Sequence, residues 1–238
     1  MATLEAKRSA IVPEVLGRRD YEIIGELVRN GSSVLDLGCG EGDLLAWLAE
    51  RKQVEARGVE ISPAKVRKCV THGLSVFQGD IDQGLADYRD KCFDYVILSQ
   101  TLQETHRPLD VLREMARVGK RLIIAFPNFG RWSVSVALLL TGHAPKTRHL
   151  PYEWYDSPNI HFVTILDFED MLAREGLAIE RSYFLRGDHR VREDRQAPFA
   201  VAAAPMDQAE RPAAFPVGLA HEAVHLAADH PRLEAGLA

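Results

Sequence analysis

Cysteine is scarce in this 238-residue chain: Cys39, Cys69 and Cys92 are the whole complement. The number is odd and no two of them stand at metal-ligand spacing. That argues against a disulfide framework and for reduced thiols in a cytoplasmic protein. Basic residues are not in excess either. The formal net charge is −5, and much of it lies beyond Pro205, where Asp207, Glu210, Glu222, Asp229 and Glu234 face only Arg211 and Arg232. A near-neutral body offers no broad cationic surface, so nucleic acid is not an expected partner. Long apolar runs are missing as well. The stretch Val136 to Leu140 is far too short to cross a bilayer, so no membrane contact is expected. The opening residues lack the basic start and apolar run of a secretion signal. No internal repeat is present.

What remains suits a single α/β domain with room for a sizeable core. Residues 1–12 carry no pattern. Apolar positions in 13–30 (Val15, Leu16, Ile23, Ile24, Leu27, Val28) gather on one helical face. Strands and helices then alternate: strands are predicted at 33–37, 55–61, 75–79, 93–98 and 120–126, helices at 42–52, 63–72, 107–118 and 167–175. Ser62-Pro63 is an N-cap signal with proline in the first turn, and Gly73 and Gly176 stand where helices should stop. Such alternation builds parallel strands with helices on both faces. Segments 178–185 and 199–204, flanking the charged stretch 186–195, are expected to close the sheet as an antiparallel edge hairpin.

Two regions break the rhythm. Residues 127–165 hold Trp132, Tyr152, Trp154, Tyr155 and Phe162, an aromatic insertion of the kind that forms a lid, binding loop or partner surface. Beyond residue 204 the chain is rich in Ala and Pro. It reads as a mobile tail, 205–238, with one short helix near 218–228 and too few large apolar residues for a core. The expected domain is therefore 1–204.

The most telling local feature is Val34 to Gly42, an apolar strand running into Gly38, Gly40 and Gly42 with Asp36 before them. Glycines here permit a tight turn and close approach of a ligand, and the following helix presents free N–H groups to the crevice. A dinucleotide fingerprint would need its third glycine at the position of Asp43, which disfavours a nicotinamide enzyme. In an open parallel sheet the ligand sits beyond the carboxyl ends of the strands. Strand two ends at Val59-Glu60-Ile61, and a lone acid there can take both hydroxyls of a ribose. Strand three ends at Gly79-Asp80-Ile81-Asp82, where a short acid can accept from an adenine amino group while Ile81 covers a ring face. Asp80 and Asp82 alone are too few oxygens for a hard cation, so no metal is expected. Strand four ends at Ser99-Gln100-Thr101.

Taken together these strand ends resemble the cofactor site of class I S-adenosylmethionine (SAM) methyltransferases. The resemblance implies a Rossmann-like doubly wound sheet, mostly parallel, with SAM as cofactor. Carried residue by residue, it implies cofactor contacts from Asp36, Gly38, Gly40, Glu60, Ile61, Asp80 and Ile81, with Ser99 and Gln100 at the methionine end.

Further segments are more specific: Asp94 to Gln103, Phe126 to Gly130, Leu150 to His161 and Asp167 to Asp170. Over about residues 10–204 the chain resembles the MetW family of methionine-biosynthesis proteins. That implies work alongside a homoserine O-acyltransferase, for which the aromatic insertion is the expected contact surface. A stand-alone methyltransferase of a small molecule is the alternative. Methyl transfer from a sulfonium is an in-line displacement needing a base only when the acceptor must lose a proton. Glu104, His106, Tyr152, Glu153 and His161 are candidate bases, and no catalytic residue is assigned. Strand four lacks the Asn/Asp-Pro-Pro-Tyr pattern of base-amino methyltransferases. His221-Glu222-Ala223-Val224-His225 matches a zinc-protease motif, but it stands in the tail without a cleft-forming framework and is set aside.

Overall fold

A computed structural model describes residues 19–144, 146, 152–186, 189–194 and 222–229. Helices are α1 Arg19–Leu27, α2 Asp43–Lys52, α3 Pro63–Thr71, α4 Pro108–Val118, α5 Trp132–Thr141 and α6 Ile165–Arg174. Strands are β1 Ser33–Leu37, β2 Glu55–Glu60, β3 Ser75–Gln78, β4 Phe93–Ser99, β5 Gly119–Pro127, β6 Leu177–Arg186, β7 His189–Asp194 and β8 Glu222–Asp229. They form one sheet in the order β3-β2-β1-β4-β5-β8-β6-β7. The pairs from β3 through β5 are parallel, while β8 runs antiparallel to both β5 and β6, and β7 antiparallel to β6. Strand order reverses between β1 and β4, so their carboxyl ends open a crevice.

The central strands β1, β4 and β5 are buried on both faces, because successive side chains alternate sides and helices cover each. Leu35, Leu37, Val96 and Leu98 face α4 and α6, packing with Met115 and Phe168. Val34, Tyr95 and Ile97 face α1 and α2, packing with Ile24 and Leu48. Helix α6 starts at Thr164, whose hydroxyl oxygen accepts from the Asp167 N–H at 3.1 Å. Gly73 and Gly176 follow α3 and α6 with positive φ, as helix-ending residues should.

Three expectations are corrected. The hairpin at the sheet edge is β6 with β7, built from the charged stretch read as a loop. An edge strand tolerates charge because one side of it meets water. Segment 199–204 lies outside the described residues. The tail is not wholly an appendage: Glu222–Asp229 is a strand seated between β5 and β6, not a helix. Alanine-rich sequence favours helix in isolation, but two open strand edges outweigh that preference. Residues four apart on a strand stand about 13 Å apart, too far to ligate one zinc. The histidine–glutamate motif therefore has no helical face here, and His221 lies outside the described residues.

His225 is fully buried among Phe126, Phe168 and Phe184, and its Nδ1 lies 2.9 Å from the Ser182 hydroxyl. Burial pushes its pKa from 6.5 down to about 3. The folded state thus refuses a proton that the unfolded chain accepts below pH 6.5, so stability falls as pH drops through that window. At pH 5 the loss is roughly 2 kcal/mol, about 4–8 °C in Tm for a chain of this size. Thermal melts at pH 7 and pH 5 should show that drop in the wild type and a smaller one in His225→Gln.

Candidate functional site

The crevice is built around the turn after β1. The Gly38 and Cys39 N–H groups both donate to the Val59 carbonyl, at 2.8 and 3.1 Å, stitching the turn to the end of β2. Gly38 has φ +69°, and a Cβ there would lie 2.7 Å from the Thr101 side chain, so nothing larger fits. Gly40 has φ +60° and nothing within 4 Å of where its Cβ would be, which leaves room for a ligand. Gly42 serves packing instead: its Cβ would meet Leu74 at 2.4 Å.

Glu60 is the centre of the site. It is only 5% exposed. One carboxylate oxygen accepts from the Gly40 N–H at 2.9 Å and the other from the Ser62 N–H at 2.8 Å. Each oxygen keeps a lone pair free for a further donor. The Ser62 side chain makes no capping bond to α3, so the expected N-cap is a backbone arrangement held by Glu60. Next to Glu60, Ile61 is 63% exposed, an apolar face turned to solvent. These donors and acceptors fit a ribose diol and a flat apolar ring. Asp36 is buried beneath the turn, and burial first, then the negative charge of Cys69 and Glu60, raises its pKa to about 8. It is therefore neutral at pH 7.

Asp80 and Asp82 have separate duties. Asp80 accepts from the Asp82 N–H at 2.9 Å and more weakly from the Gln83 amide at 3.3 Å. Asp82 accepts from the His106 and Arg107 N–H groups at 2.9 and 2.8 Å, fixing the start of α4. Ile81 packs against the core on the α4 side. Among the described residues no group of three or more His, Cys, Asp or Glu could hold a metal ion.

At the end of β4 the Ser99 hydroxyl is buried with no hydrogen-bond partner. Gln100 adopts φ +56°, which a residue with a Cβ seldom does. Its N–H donates to Ala125 at 2.8 Å, and its carbonyl accepts the Gln103 amide at 2.8 Å. Such a conformation persists only where the surroundings fix it, and it marks functional turns.

Two residues of this region were not singled out by the sequence. Thr101 seals Gly38. Gln103, buried, accepts at its carbonyl from the Ile160 and His161 N–H groups at 2.9 and 3.1 Å, tying the aromatic insertion to the crevice. The polar run Gln-Thr-Leu-Gln straight after a buried strand is the signal that pointed to them. Of the candidate bases, Glu104 lies near Glu60 and Lys65, and desolvation raises its pKa. His161 Nε2 is buried without a partner. Glu153 pairs with Lys146, and Tyr152 and His106 are exposed.

The insertion is a surface, not core. Helix α5 buries none of its residues, although it reads Trp-Ser-Val-Ser-Val-Ala-Leu-Leu-Leu-Thr. Leu139 is 83% exposed, Trp154 80% and Phe162 79%. No described helix is long and apolar enough to cross a membrane.

The strand order, the glycine turn and the acid at the end of β2 define a class I SAM-dependent methyltransferase fold. Solved structures agree. A SAM-dependent methyltransferase from Archaeoglobus fulgidus matches with TM-score 0.59 and 16% identity, over 91% of this chain and 94% of that one. The [4+2]-cyclase SpnF matches with TM-score 0.60 and 16% identity, over 89% and 80%. The family is narrower than the fold: residues 18–203 match the model of methionine biosynthesis protein MetW, and the chain belongs to that family. The bifunctional methionine biosynthesis protein MetXA/MetW of Rhodopirellula baltica is 35% identical over 184 residues, 74% of this chain and 30% of that protein. The chain spans about a third of the length of the first curated relatives it matches.

Proposed function

We propose that this protein binds SAM in the crevice and works in methionine biosynthesis beside a homoserine O-acyltransferase. The observation that carries the first part is Glu60, held by the Gly40 and Ser62 N–H groups with lone pairs to spare, next to exposed Ile61. The ribose diol would lie on Glu60, the adenine ring on Ile61 with its amino group toward Asp80, and the methionyl part over Gly38 and Gly40 toward Ser99 and Gln100. SAM, when bound, supplies a methyl group on a positive sulfonium; these residues bind and orient it. The partnership is supported by the relative whose name joins MetXA and MetW in one protein.

The insertion 127–165 is the surface for that partner. Exposed aromatic and leucine side chains on a continuous segment are the usual anchors of protein interfaces. Because Gln103 links the insertion to the crevice, SAM can alter partner affinity through a coupling free energy. The test is acyltransferase activity with and without this protein across SAM concentrations. No change in any condition removes the regulatory reading. The double variant Leu139→Lys, Trp154→Ala should weaken capture of the acyltransferase more than about tenfold, since each anchor is worth about 1 kcal/mol or more. Its SAM affinity should stay as in the wild type.

A second reading, methyl transfer to a small molecule, is favoured by Glu104 and the unpartnered His161 Nε2 near the crevice mouth. It requires release of S-adenosylhomocysteine by the purified protein with some metabolite.

A further inference from the structure

Two of the three cysteines meet under the glycine turn. Cys39 sits in the turn between Gly38 and Gly40, and Cys69 on the inner face of α3. They are buried together with Leu45, Ala46 and Leu74 in a small cluster of their own. The Cys69 thiol donates to the Gly40 carbonyl at 3.3 Å. That bond brings the Cys69 sulfur to the residue next to Cys39, and both cysteines belong to the same buried cluster. The surroundings are close-packed, since a Cβ on Gly58 would lie 2.6 Å from Cys39 Sγ and one on Gly42 3.0 Å from Cys69 Sγ. Both thiols are free.

We infer that Cys39 and Cys69 form an oxidisable dithiol, which peroxide converts to an internal disulfide that weakens SAM binding. Their mutual interaction, ahead of burial, pushes the Cys39 thiol up and the Cys69 thiol down, so Cys69 is the nucleophile. Its thiolate attacks one oxygen of hydrogen peroxide, giving a sulfenic acid and hydroxide. The Cys39 sulfur then displaces the hydroxyl from Cys69, and its proton leaves with that hydroxyl as water. In sum two thiols and one peroxide give one disulfide and two waters. The sulfurs lose two electrons and the peroxide oxygens gain them.

The bond has a consequence for the site. It removes the thiol that donates to the Gly40 carbonyl. It also draws the turn toward α3, because two free sulfurs must close to about 2 Å to bond. Gly40 is the residue whose N–H holds Glu60. Conversely, a ligand lying on the turn keeps peroxide from the pair. Cys92, exposed and at the foot of β4, takes no part.

The experiment uses the full chain with Cys92→Ser as background, treated with hydrogen peroxide with and without SAM. Expected are loss of two hydrogens by intact mass, a mapped Cys39–Cys69 cross-link, slower cross-linking with SAM present, and a SAM Kd raised at least tenfold that dithiothreitol restores. Cys69→Ser and Cys69→Ala should show no cross-link and no peroxide effect on Kd. Oxygen addition without a cross-link, or a cross-link seen only after unfolding in urea, overturns the inference. So does a cross-link that leaves Kd unchanged. The affinity arm rests on the SAM reading above, and the mass arm does not. A reduced protein with no SAM affinity would sink that reading and the affinity arm, while a cross-link would still stand as a modification site.

Discussion

Replacing Glu60 by alanine should weaken SAM binding by about 100-fold. The carboxylate offers two remaining lone pairs to a ribose diol, and a hydrogen bond to a charged group is worth roughly 1.5 kcal/mol or more. Two of them amount to about 3 kcal/mol, close to two orders of magnitude in Kd. The same change leaves the Gly40 and Ser62 N–H groups without their acceptor, so the turn loses one of its ties to β2 and keeps those from Gly38 and Cys39 to the Val59 carbonyl. Glu60→Gln should fall between, because an amide presents one acceptor oxygen and turns a donor toward one of those N–H groups. Titration calorimetry on both variants decides the matter. A Kd equal to wild type in Glu60→Ala would take Glu60 out of the site, and no heat with SAM in the wild type would remove the SAM assignment.

A chain ending at residue 221 should not fold. β8 is the only described neighbour of β5 on one side and of β6 on one side, in register with Leu122 to Pro127 and Leu177 to Leu185. Without it two strand edges at the middle of the sheet lose their partners, and Leu226 and Ala227 leave the core. Each unpaired buried backbone group costs about 1–3 kcal/mol. Several together rival the roughly 5–15 kcal/mol by which a typical domain is stable. Size exclusion and circular dichroism should find aggregate or an unfolded chain. A soluble monomer with unchanged Tm would mean that another segment enters the slot. Residues 199–204, the segment expected from sequence to pair with 178–185, are the first to examine.

The parallel half of the sheet was legible because its signals are local and agree with one another. β1, β4 and β5 are apolar runs ended by glycine or a polar turn, and the helices between the strands carry start or stop residues of their own. Glu60 could be read because an acid at a buried strand's end has few other reasons to be there. Of the antiparallel half only β6 was legible, as the strand expected at 178–185. β7 is made of charged residues and β8 of alanines, and what makes them strands is the open edge beside them, not their own composition. α5 is strongly apolar and still buries none of its residues, in line with the reading of 127–165 as an insertion outside the core. The packing of Thr101 against Gly38 and the positive φ of Gln100 could not be read from sequence, since neither leaves a mark in residue type. The two roles of Asp80 and Asp82 were equally hidden, because which N–H groups a carboxylate accepts depends on where α4 begins.

The single carbonyl of Gln103 grips two successive N–H groups of the insertion, while its amide grips Gln100. One side chain and its own backbone thus join the crevice floor to the outer platform as a rigid strut. Any tilt of that residue moves Ile160 and His161 together and swings Phe162 with them. The crevice and the exposed aromatic surface are in this sense one mechanical part, and a shift at either end is felt at the other.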